Sequence, residues 1–371
     1  MTVARRAIPL LRVAGSHREV GRAVGAATAA VLREAVDFDA ALPAGRRRAD
    51  QLVLAGRYRA ATLAATPWLV AEIDGAAEGA GVDPLALFAA SIEEIWTVRP
   101  SQVGVGGMAR MRPVQGRCSD LVAVPPATAD GHAWVAHNND LSASSEANVV
   151  AVEWRVPGEA VLFSLGIGPW ISVGWNDAGL SLTGNELAPN DERVGVPRLL
   201  MVREQLTARA IDEAVAMALR PDRASSYNTV FVDRAGRVAD VEGSATDAEV
   251  TCASDRGTLA HTNHYVCARM LGYEGDPDYA RSSDVRYRRA LALLDGATAT
   301  PGDPGTVTPD ALRAMLADHG TDPSLCRHPR PGGDETDSVT VFWSIADVTA
   351  GEIRYGLGRP CEPGEERYRF D

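Results

Sequence analysis

The sequence predicts an α+β protein in which packed β-sheets lie between outer layers of helices. Apolar side chains recur at helical spacing through the first hundred residues, whereas short β-type runs follow residue 117. Helical stretches interrupt these runs at 197–218, 282–294 and 309–318. Two runs of strands divided by helices favour this fold class, although the order alone leaves the sheet topology open. A chain of 371 residues is long enough to bury a large core.

The N-terminal part is predicted to be helical after a short first strand. Ser16 and Glu19 have the spacing of a capping box, and apolar residues then recur at helical intervals. A second helix is predicted to begin near Thr66, and a third covers 84–97 after a glycine-marked break. The Pro/Gly-rich segment 99–117 shows no period and is the predicted linker.

The C-terminal part is predicted to consist mainly of strands, because its apolar runs are short and are bounded by Gly, Pro, Asn and Asp. The runs are 121–125, 132–137, 148–156, 160–166, 170–175, 228–233, 236–242, 249–254, 258–262, 338–345 and 351–357. We find no internal repeat and no low-complexity tract in the sequence.

Charge and composition exclude several classes of function. The net charge is −12, and all 37 basic residues are arginines. Without lysine the chain has no Schiff base to pyridoxal phosphate, no phosphate-loop lysine and no Ser-Lys dyad. The acidic balance argues against nucleic acid or an anionic membrane as the main partner. No apolar run approaches the roughly 18–20 residues that span a bilayer, and the start lacks the features of a signal peptide, so we expect a cytoplasmic protein.

The five cysteines are odd in number and follow no Cys-x-x-Cys spacing, which predicts neither a disulfide framework nor a structural zinc site. Cys118 stands where the linker ends and the strands begin. On its own it is a small residue at a strand start, but polar clusters follow it where apolar strands break. The clusters are HNND (137–140), GWNDAGLSLTGNE (174–186), SSYN (225–228) and AHTNH (260–264). Their order after a cysteine at a junction indicates a nucleophile.

With these clusters the chain resembles the acyl-coenzyme A:6-aminopenicillanate acyltransferase family of N-terminal-nucleophile (Ntn) cysteine hydrolases, relatives of the bile salt hydrolases and penicillin V acylases. The resembling segments follow in family order along nearly the whole chain. They are GSHREVGRAVG (15–25), EIDGAAEGAGVDPLALFAASIEEIW (72–96), the cysteine, HNND, GWNDAGL (174–180), GVPRLLMVREQL (195–206), HTNHY (261–265) and DSVTVFWSIAD (337–347). The resemblance implies a four-layer αββα sandwich of two antiparallel sheets.

The resemblance also implies a precursor that cuts itself between Arg117 and Cys118. The products are a small chain, 1–117, and a large chain, 118–371, which together form one αββα domain. The freed α-amine of Cys118 has an ordinary pKa near 8 and acts as general base, so that neither lysine nor histidine is needed. Family members usually carry Gly before the cysteine. Arg117 departs from this pattern, and Gly tolerates strained backbone geometry that Arg does not.

Motif matching implies the roles of the other site residues. Asp140 matches the aspartate that orients the amine and the thiol, whereas Asn185 and Asn263 match the asparagines at the oxyanion and the nucleophile. The alternative for each is an ordinary residue of a turn or strand end. His137 stands where relatives on the bile-salt side carry arginine, and a titratable imidazole cannot act identically to arginine.

The same relatives use a later arginine after a Ser-rich turn. In segment 279–289 the closest register gives Asp284 at that position. Arg281 and Arg286 are the candidate substitutes, although both are expected on a solvated helix face.

The predicted function is a self-processing cysteine Ntn amidohydrolase that cleaves a small linear amide through a thioester acyl-enzyme. The alternative is an N-acyltransferase, with coenzyme A as acyl-donor co-substrate; otherwise no cofactor and no metal is predicted. Trp170 and Trp175 are candidates for the acyl pocket, with core packing as the alternative. The expected partners are a small-molecule amide and the chain's own cleaved N-terminal part, and a homo-oligomer is left open.

Two further hypotheses differ in class. A metal hydrolase would use His261 and His264 with His319 or His328, but no HExxH or matching carboxylate motif accompanies them. A non-catalytic descendant of the fold would be disabled by the departures from the family pattern at the cleavage site or in the HNND cluster.

Overall fold

The computed structural model of the protein describes residues 7–41, 48–96, 117–298, 306–332 and 338–371. The predicted linker lies outside these residues, apart from Arg117. The helices are α1 (His17–Ala27), α2 (Ala29–Ala41), α3 (Arg48–Ala65), α4 (Pro67–Ala80), α5 (Pro84–Ala90), α6 (Arg198–Gln205), α7 (Ile211–Ala218), α8 (Pro277–Ala297) and α9 (Pro309–Leu316). None of these helices is both long and apolar enough to cross a membrane.

The strands form one eight-stranded and one six-stranded sheet. They are β1 (Leu10–Ala14), β2 (Ser119–Ala123), β3 (Trp134–Ser142), β4 (Val149–Arg155), β5 (Leu162–Ile167), β6 (Trp170–Asn176), β7 (Leu180–Asn185), β8 (Asn228–Asp233), β9 (Val238–Gly243), β10 (Ala248–Thr251), β11 (Thr258–His261), β12 (Ser338–Asp347), β13 (Glu352–Leu357) and β14 (Glu366–Arg369). The strand orders are β1-β4-β5-β6-β7-β8-β9-β10 and β11-β2-β3-β12-β13-β14. The pairing of β1 with β4 is parallel, and the other pairs are antiparallel.

The two sheets pack face to face with helices on both outer sides, which confirms the predicted αββα sandwich. Alternate residues of a strand point to opposite faces, so each inner strand contributes to two apolar layers. In β2, Val122 packs between the sheets, whereas Leu121 and Ala123 pack on α8 and α9. On the other side, α1, α6 and α7 cover the outer face of the eight-stranded sheet.

Several elements differ from their predicted bounds. The helical stretch 197–218 is two helices, because Ala210 adopts an extended conformation (φ −143°, ψ 151°) between them. Strand β7 was missed because its residues were assigned to the polar cluster 174–186, although Leu180 and Leu182 alternate with Ser181 and Thr183. Both of these polar residues are completely buried in the sandwich. The predicted capping box is present, since the main-chain N–H of Ser16 donates to Glu19 Oε2 at 2.8 Å.

The topology brings the sequence clusters to one end of the sandwich. Strand β2, which follows Cys118, lies between β11 and β3 in the six-stranded sheet. Helix α8 packs on β2 and β11, and β7 of the other sheet contacts β2 and β3 across the interface. HNND, TGNE and HTNH therefore meet near Cys118.

Candidate active site

Cys118 is a free cysteine, 6% exposed, directly before β2. The antiparallel register places Asp120 opposite His137 and Ser119 opposite Asn138. Since alternate residues share a face, His137 and Asn139 of β3 both reach toward the cysteine. The Asn139 Nδ2 atom lies 3.6 Å from Cys118 Sγ and 3.3 Å from His137 Nε2. The thiol is therefore buried from solvent and has two polar side chains as neighbours.

His137 forms a buried ion pair with Asp120. Their side chains are 0% exposed, and His137 Nδ1 donates to Asp120 Oδ1 at 2.7 Å. Burial by itself lowers the pKa of His137, but the charge and hydrogen bond of Asp120, together with the adjacent Cys118 side chain, raise it to about 10. His137 is therefore an imidazolium at neutral pH. The Cys118 sulfur therefore has a cationic side chain as its neighbour.

This pair predicts a pH-dependent contribution to stability. Because the folded-state pKa of His137 lies above the ordinary value of about 6.5, the stabilisation is complete below about pH 6.5 and disappears as pH rises through about 10. We expect the melting-temperature difference between the wild type and His137→Gln to be largest at the acidic end and to shrink across this window. Thermal unfolding followed by circular dichroism at a series of pH values measures it.

The matched control is His132→Gln. His132 also pairs with an aspartate, Asp347, at 2.8 Å, but its side chain is 39% exposed and solvent screens the pair. We expect a small difference for this variant at every pH. A difference for His137→Gln that stays constant from pH 6 to 10 would contradict the assignment of a charged buried pair.

Asn185 holds Asp120 from the opposite sheet. Its Nδ2 donates to Asp120 Oδ2 at 2.7 Å and to Asn228 Oδ1 at 3.0 Å, which engages both amide hydrogens. Asn228 Nδ2 in turn donates to Asp240 Oδ1. In this arrangement Asn185 orients the His137 partner and has no hydrogen left for an oxyanion. Asn185 was predicted from its motif, whereas no pattern in the sequence pointed to Asp120 as its partner.

Arg286 is the site residue that the sequence analysis placed wrongly. Its Nη1 donates to the carbonyl oxygens of Arg117 and Cys118, at 2.7 Å each. The same nitrogen lies 2.9 Å from Ser119 Oγ, and Nη2 donates to Asn263 Oδ1 at 2.9 Å. The guanidinium therefore contacts the peptide bond that precedes the cysteine. Burial lowers the pKa of Arg286 to about 10, so the group is still charged at neutral pH.

The expectation that both candidate arginines lie on a solvated face is wrong for Arg286 and correct for Arg281. Helix α8 buries one face at helical spacing: Tyr279, Ser283, Arg286, Ala290 and Leu294. The side chain of Arg281 is 72% exposed and pairs with Asp278. Asp284, the residue in the closest register, bonds Arg288 at 2.8 Å. The spacing from Tyr279 was the signal that could have identified Arg286.

Asn263 contacts Arg286, the residue that binds the Cys118 carbonyl. Its main-chain N–H donates to Ser283 Oγ at 2.6 Å, its Oδ1 accepts from Arg286, and its Nδ2 donates to the main-chain oxygen of Glu186 at 3.1 Å. These contacts fix the amide in one orientation and use one of its two hydrogens. Among the described residues, no acceptor is found for the second hydrogen.

Asp140 lies beside Arg117, the residue before Cys118. Its main-chain oxygen accepts from the N–H of Arg117 at 3.0 Å, and its Oδ1 accepts from Thr340 at 2.7 Å. Within the described residues, the buried Oδ2 has no hydrogen-bond partner, and Arg327 Nε is 3.8 Å away. Burial raises the pKa of Asp140, partly offset by Arg327 and Arg286. An unpartnered carboxylate oxygen is suited to a new cationic group.

Arg117 is held on its main chain and on its side chain. Besides the main-chain bonds to Asp140 and Arg286, its Nη1 donates to Ser282 Oγ at 3.0 Å, and its guanidinium lies 5.8 Å from the centre of the Tyr279 ring. Helix α8 therefore holds Arg117, the residue that replaces the usual glycine of the family, in place.

Trp170 and Trp175 are packing residues in this structure. Trp175 is 2% exposed and stacks at 6.0 Å on Phe163 in the core between the sheets. Trp170 packs on the N-terminal helices, and its Nε1 donates to Ser91 Oγ at 2.8 Å. Their contacts agree with the core-packing alternative rather than with an acyl pocket.

The histidines of the metal-hydrolase hypothesis do not form a ligand set. His261 Nε2 bonds Glu242 Oε1 at 2.8 Å, and its Nδ1 bonds the carbonyl of Thr262 at 2.6 Å. Since both partners only accept, both ring nitrogens carry hydrogen and neither is free to bind a metal. Burial lowers the pKa of His261, but Asp240 and Glu242 raise it to about 9.

The fold and the site together define a class of protein. A buried cysteine before an inner strand of an αββα sandwich, surrounded by Asp, Asn and Arg, is the architecture expected of a cysteine Ntn hydrolase. Comparison with protein-family models matches residues 127–361 to "Acyl-coenzyme A:6-aminopenicillanic acid acyl-transferase", which is well over half of the chain. The chain belongs to this family, and it is an Ntn enzyme that acts on amide bonds by hydrolysis or acyl transfer.

Three solved structures are similar to the protein. An N-acylethanolamine-hydrolyzing acid amidase ortholog from Caenorhabditis elegans is 14% identical, over 62% of this chain and 93% of its own, with a TM-score of 0.44. A mutant conjugated bile acid hydrolase from Clostridium perfringens is 12% identical over 68% of this chain and 97% of its own, with a TM-score of 0.44. A penicillin V acylase from Agrobacterium tumefaciens is 13% identical over 65% of this chain and 83% of its own, with a TM-score of 0.41. A search of curated proteins finds no match.

The family match begins downstream of Cys118. It includes HNND, TGNE, HTNH and the Arg286 segment, but not the nucleophile or the cleavage site. The roles of the individual site residues therefore stay predictions, and they rest on the geometry described above.

Proposed function

We propose that the protein is a self-processing cysteine amidohydrolase that cleaves a small linear amide through a thioester on Cys118. The observation that carries this proposal is the contact of Arg286 with the carbonyl of Arg117 at 2.7 Å. A buried cation on the carbonyl directly before a cysteine is suited to one reaction, attack by that cysteine on its own peptide bond.

In the self-cleavage step, Cys118 Sγ adds to the carbonyl carbon of Arg117. Arg286 stabilises the negative charge that develops on the carbonyl oxygen. Collapse breaks the C–N bond, the nitrogen of Cys118 takes up the proton that the thiol gives up, and a thioester forms. Water then hydrolyses the thioester. The products are chain 1–117 with a new carboxyl group and chain 118–371 with a free thiol and α-amine.

After cleavage, Asp140 Oδ2, which accepts no hydrogen bond in the described residues and has Arg327 Nε at 3.8 Å, is the proposed acceptor for the new α-ammonium group. The amine, once neutral, acts as base and acid for the thiol and the leaving amine, since its ordinary pKa is near 8. The Asp120–His137 pair keeps a positive charge near the sulfur. The mature site therefore contains both a nucleophile and a proton carrier without any lysine.

Substrate hydrolysis repeats the same chemistry on an external carbonyl. The thiolate attacks the amide carbon, and the remaining Nδ2 hydrogen of Asn263 is the side-chain donor for the oxyanion. Collapse expels the amine, which takes a proton from the α-ammonium group, and leaves the acyl group on sulfur. Water attacks the thioester and regenerates Cys118.

Acyl transfer is the second candidate, and the description of the matching family favours it. Its first half-reaction is identical, but an amine rather than water takes the acyl group from sulfur. An acyl thioester such as acyl-coenzyme A then becomes a candidate donor. Whether water or an amine takes the acyl group depends on which of them can reach the thioester. Competition between water and an added amine therefore measures this partition.

The test uses the purified full-length chain. Intact-mass measurement is expected to find two polypeptides, 1–117 and 118–371, that copurify. Rapid quenching during turnover of N-acyl p-nitroanilides of increasing acyl length is expected to add one acyl mass to chain 118–371, which mild hydroxylamine removes. Adding a primary amine diverts product to a new amide only under the acyltransferase alternative. Turnover by an uncut chain without an acyl adduct would refute the proposal.

A further inference from the structure

A second cluster of chemically capable side chains lies outside the active site. His319, Cys326, His328 and Cys361 each offer one ligand atom, and these four atoms lie within 4.8 Å of one another. Cys326 is buried, and the other three residues are exposed. The set contains two thiols, two imidazoles and no carboxylate, which is the ligand set of a Cys₂His₂ site.

The separations within the cluster match the edges of a coordination tetrahedron. With Zn–S near 2.3 Å and Zn–N near 2.0–2.1 Å, tetrahedral ligands lie about 3.8 Å apart for two sulfurs and about 3.6 Å apart for sulfur and nitrogen. The Sγ atoms of Cys326 and Cys361 are 3.5 Å apart. His328 Nε2 is 3.7 Å from Cys326 Sγ and 3.2 Å from Cys361 Sγ. The ring of His319 lies beside that of His328, with centroids 5.1 Å apart.

Hydrogen bonding alone does not account for this convergence. Thiols are weak donors and weak acceptors, so two of them facing two imidazoles gain little from one another. A disulfide between the cysteines would not require two histidines directed at the same point. Soft thiolates with imidazoles in a tetrahedral arrangement select zinc among the common biological cations.

The main chain on both sides of the cluster is held by other bonds. The N–H of Cys326 donates to the carbonyl of Asp318 at 3.1 Å. Arg313, on α9, donates to the carbonyls of Pro360 and Glu362 at 3.2 and 3.1 Å, on either side of Cys361. The ligands from two distant segments are therefore positioned by the fold, as a site with little reorganisation on binding requires.

We propose that His319, Cys326, His328 and Cys361 bind one structural zinc ion. Four protein ligands close the coordination sphere, which distinguishes a structural site from a catalytic one with an open position. The ion joins the loop after α9 to the loop after β13. Three exposed ligands provide a route of entry.

The site also bears on the active centre through Arg327, the residue between two ligands. Its main-chain N–H and carbonyl bond Thr340 at 3.0 and 3.1 Å, and its Nε lies 3.8 Å from Asp140 Oδ2. Thr340 itself donates to Asp140 Oδ1. The zinc ion thus fastens the segment that faces Asp140, at a second site that takes no part in the chemistry at Cys118.

The test uses the untagged full-length chain, purified without chelators from zinc-supplemented cells. Elemental analysis is expected to find about one zinc per chain, as a closed four-ligand site holds a single ion. Cobalt added to metal-free protein is expected to give the visible absorption of tetrahedral Co²⁺ with a thiolate charge-transfer band. Zinc, but not magnesium, restores the melting temperature that is lost on metal removal.

Variants distinguish this cluster from adventitious binding. Cys361→Ser and His319→Gln change exposed side chains and are expected to lose stoichiometric zinc, whereas Cys252→Ser, at an exposed cysteine outside the cluster, keeps it. A wild type that binds neither zinc nor cobalt overturns the proposal, as do variants that keep full metal content. A disulfide between Cys326 and Cys361 would also overturn the proposal. It would appear as a loss of two of the five thiols when the protein is titrated without prior reduction.

Discussion

Cys118→Ala is expected to purify as a single uncut chain of 371 residues without amide-cleaving activity. The substitution removes the sulfur that attacks both the Arg117 carbonyl and the substrate, so self-cleavage and turnover fail together. The side chain is 6% exposed and small, and the loss of one sulfur atom leaves the surrounding bonds of Arg286 and His137 intact. Intact mass and amide turnover measure the two effects, and thermal unfolding checks the fold.

Cys252→Ala is the matched control because Cys252 is also a free thiol but is exposed. It is expected to cut itself and to turn over substrate at the wild-type rate. Iodoacetamide is expected to inactivate the wild type by labelling Cys118 before the other cysteines, since Cys118 is the proposed nucleophile. A Cys118→Ala chain that still splits between 117 and 118, or that still hydrolyses substrate, contradicts the assignment of the nucleophile.

Arg286→Gln is expected to slow self-cleavage by about a hundredfold or more, the effect of removing one oxyanion donor. The variant retains a polar side chain, but glutamine is shorter than arginine, and it lacks both the charge at the Arg117 carbonyl and the nitrogen that orients Asn263. In any cut protein that forms, we expect kcat to fall more than KM rises, because Arg286 orients Asn263, the proposed oxyanion donor of the mature site. The rate of precursor disappearance, followed by intact mass after synthesis, measures the first effect.

The control for charge and position is Arg281→Gln on the same helix. Arg281 is 72% exposed and pairs only with Asp278 among the contacts found for its side chain in the described residues. It is expected to process and turn over normally. Arg286→Lys separates charge from geometry, since lysine keeps the cation but not the planar fork. Wild-type processing in Arg286→Gln with an unchanged melting temperature would remove Arg286 from the mechanism.

His137 shows how a departure from the family pattern is accommodated. A titratable ring in place of arginine suggested lost function, but Asp120, directly across the β2–β3 ladder, keeps the ring positively charged. The cysteine therefore has a cationic side chain beside it, and an imidazole supplies that charge. Asn185 of the opposite sheet completes the arrangement by holding the second oxygen of Asp120.

Local patterns in the sequence were sufficient for the layers of the fold and for the list of polar clusters. Apolar periods of 3.6 and 2 residues depend only on which side chains face a core, so they identify helices and strands without knowledge of their partners. The helix of 309–316 and strand 228–233 were predicted almost to the residue. Strand β7 was not predicted, because its polar residues suggested a loop although they are buried in the sandwich.

The sequence by itself determined that a cysteine at a helix-to-strand junction is followed by Asp140, Asn185 and Asn263 in family order. Only the tertiary structure decided how these groups are used. It selected Arg286 over Asp284, paired His137 with Asp120, and brought Cys326 and Cys361 together across 35 residues of sequence. The physical reason is that a hydrogen bond or a ligand set depends on distances of about 3–4 Å between side chains. Those distances arise from strand register and helix packing, which no linear spacing records.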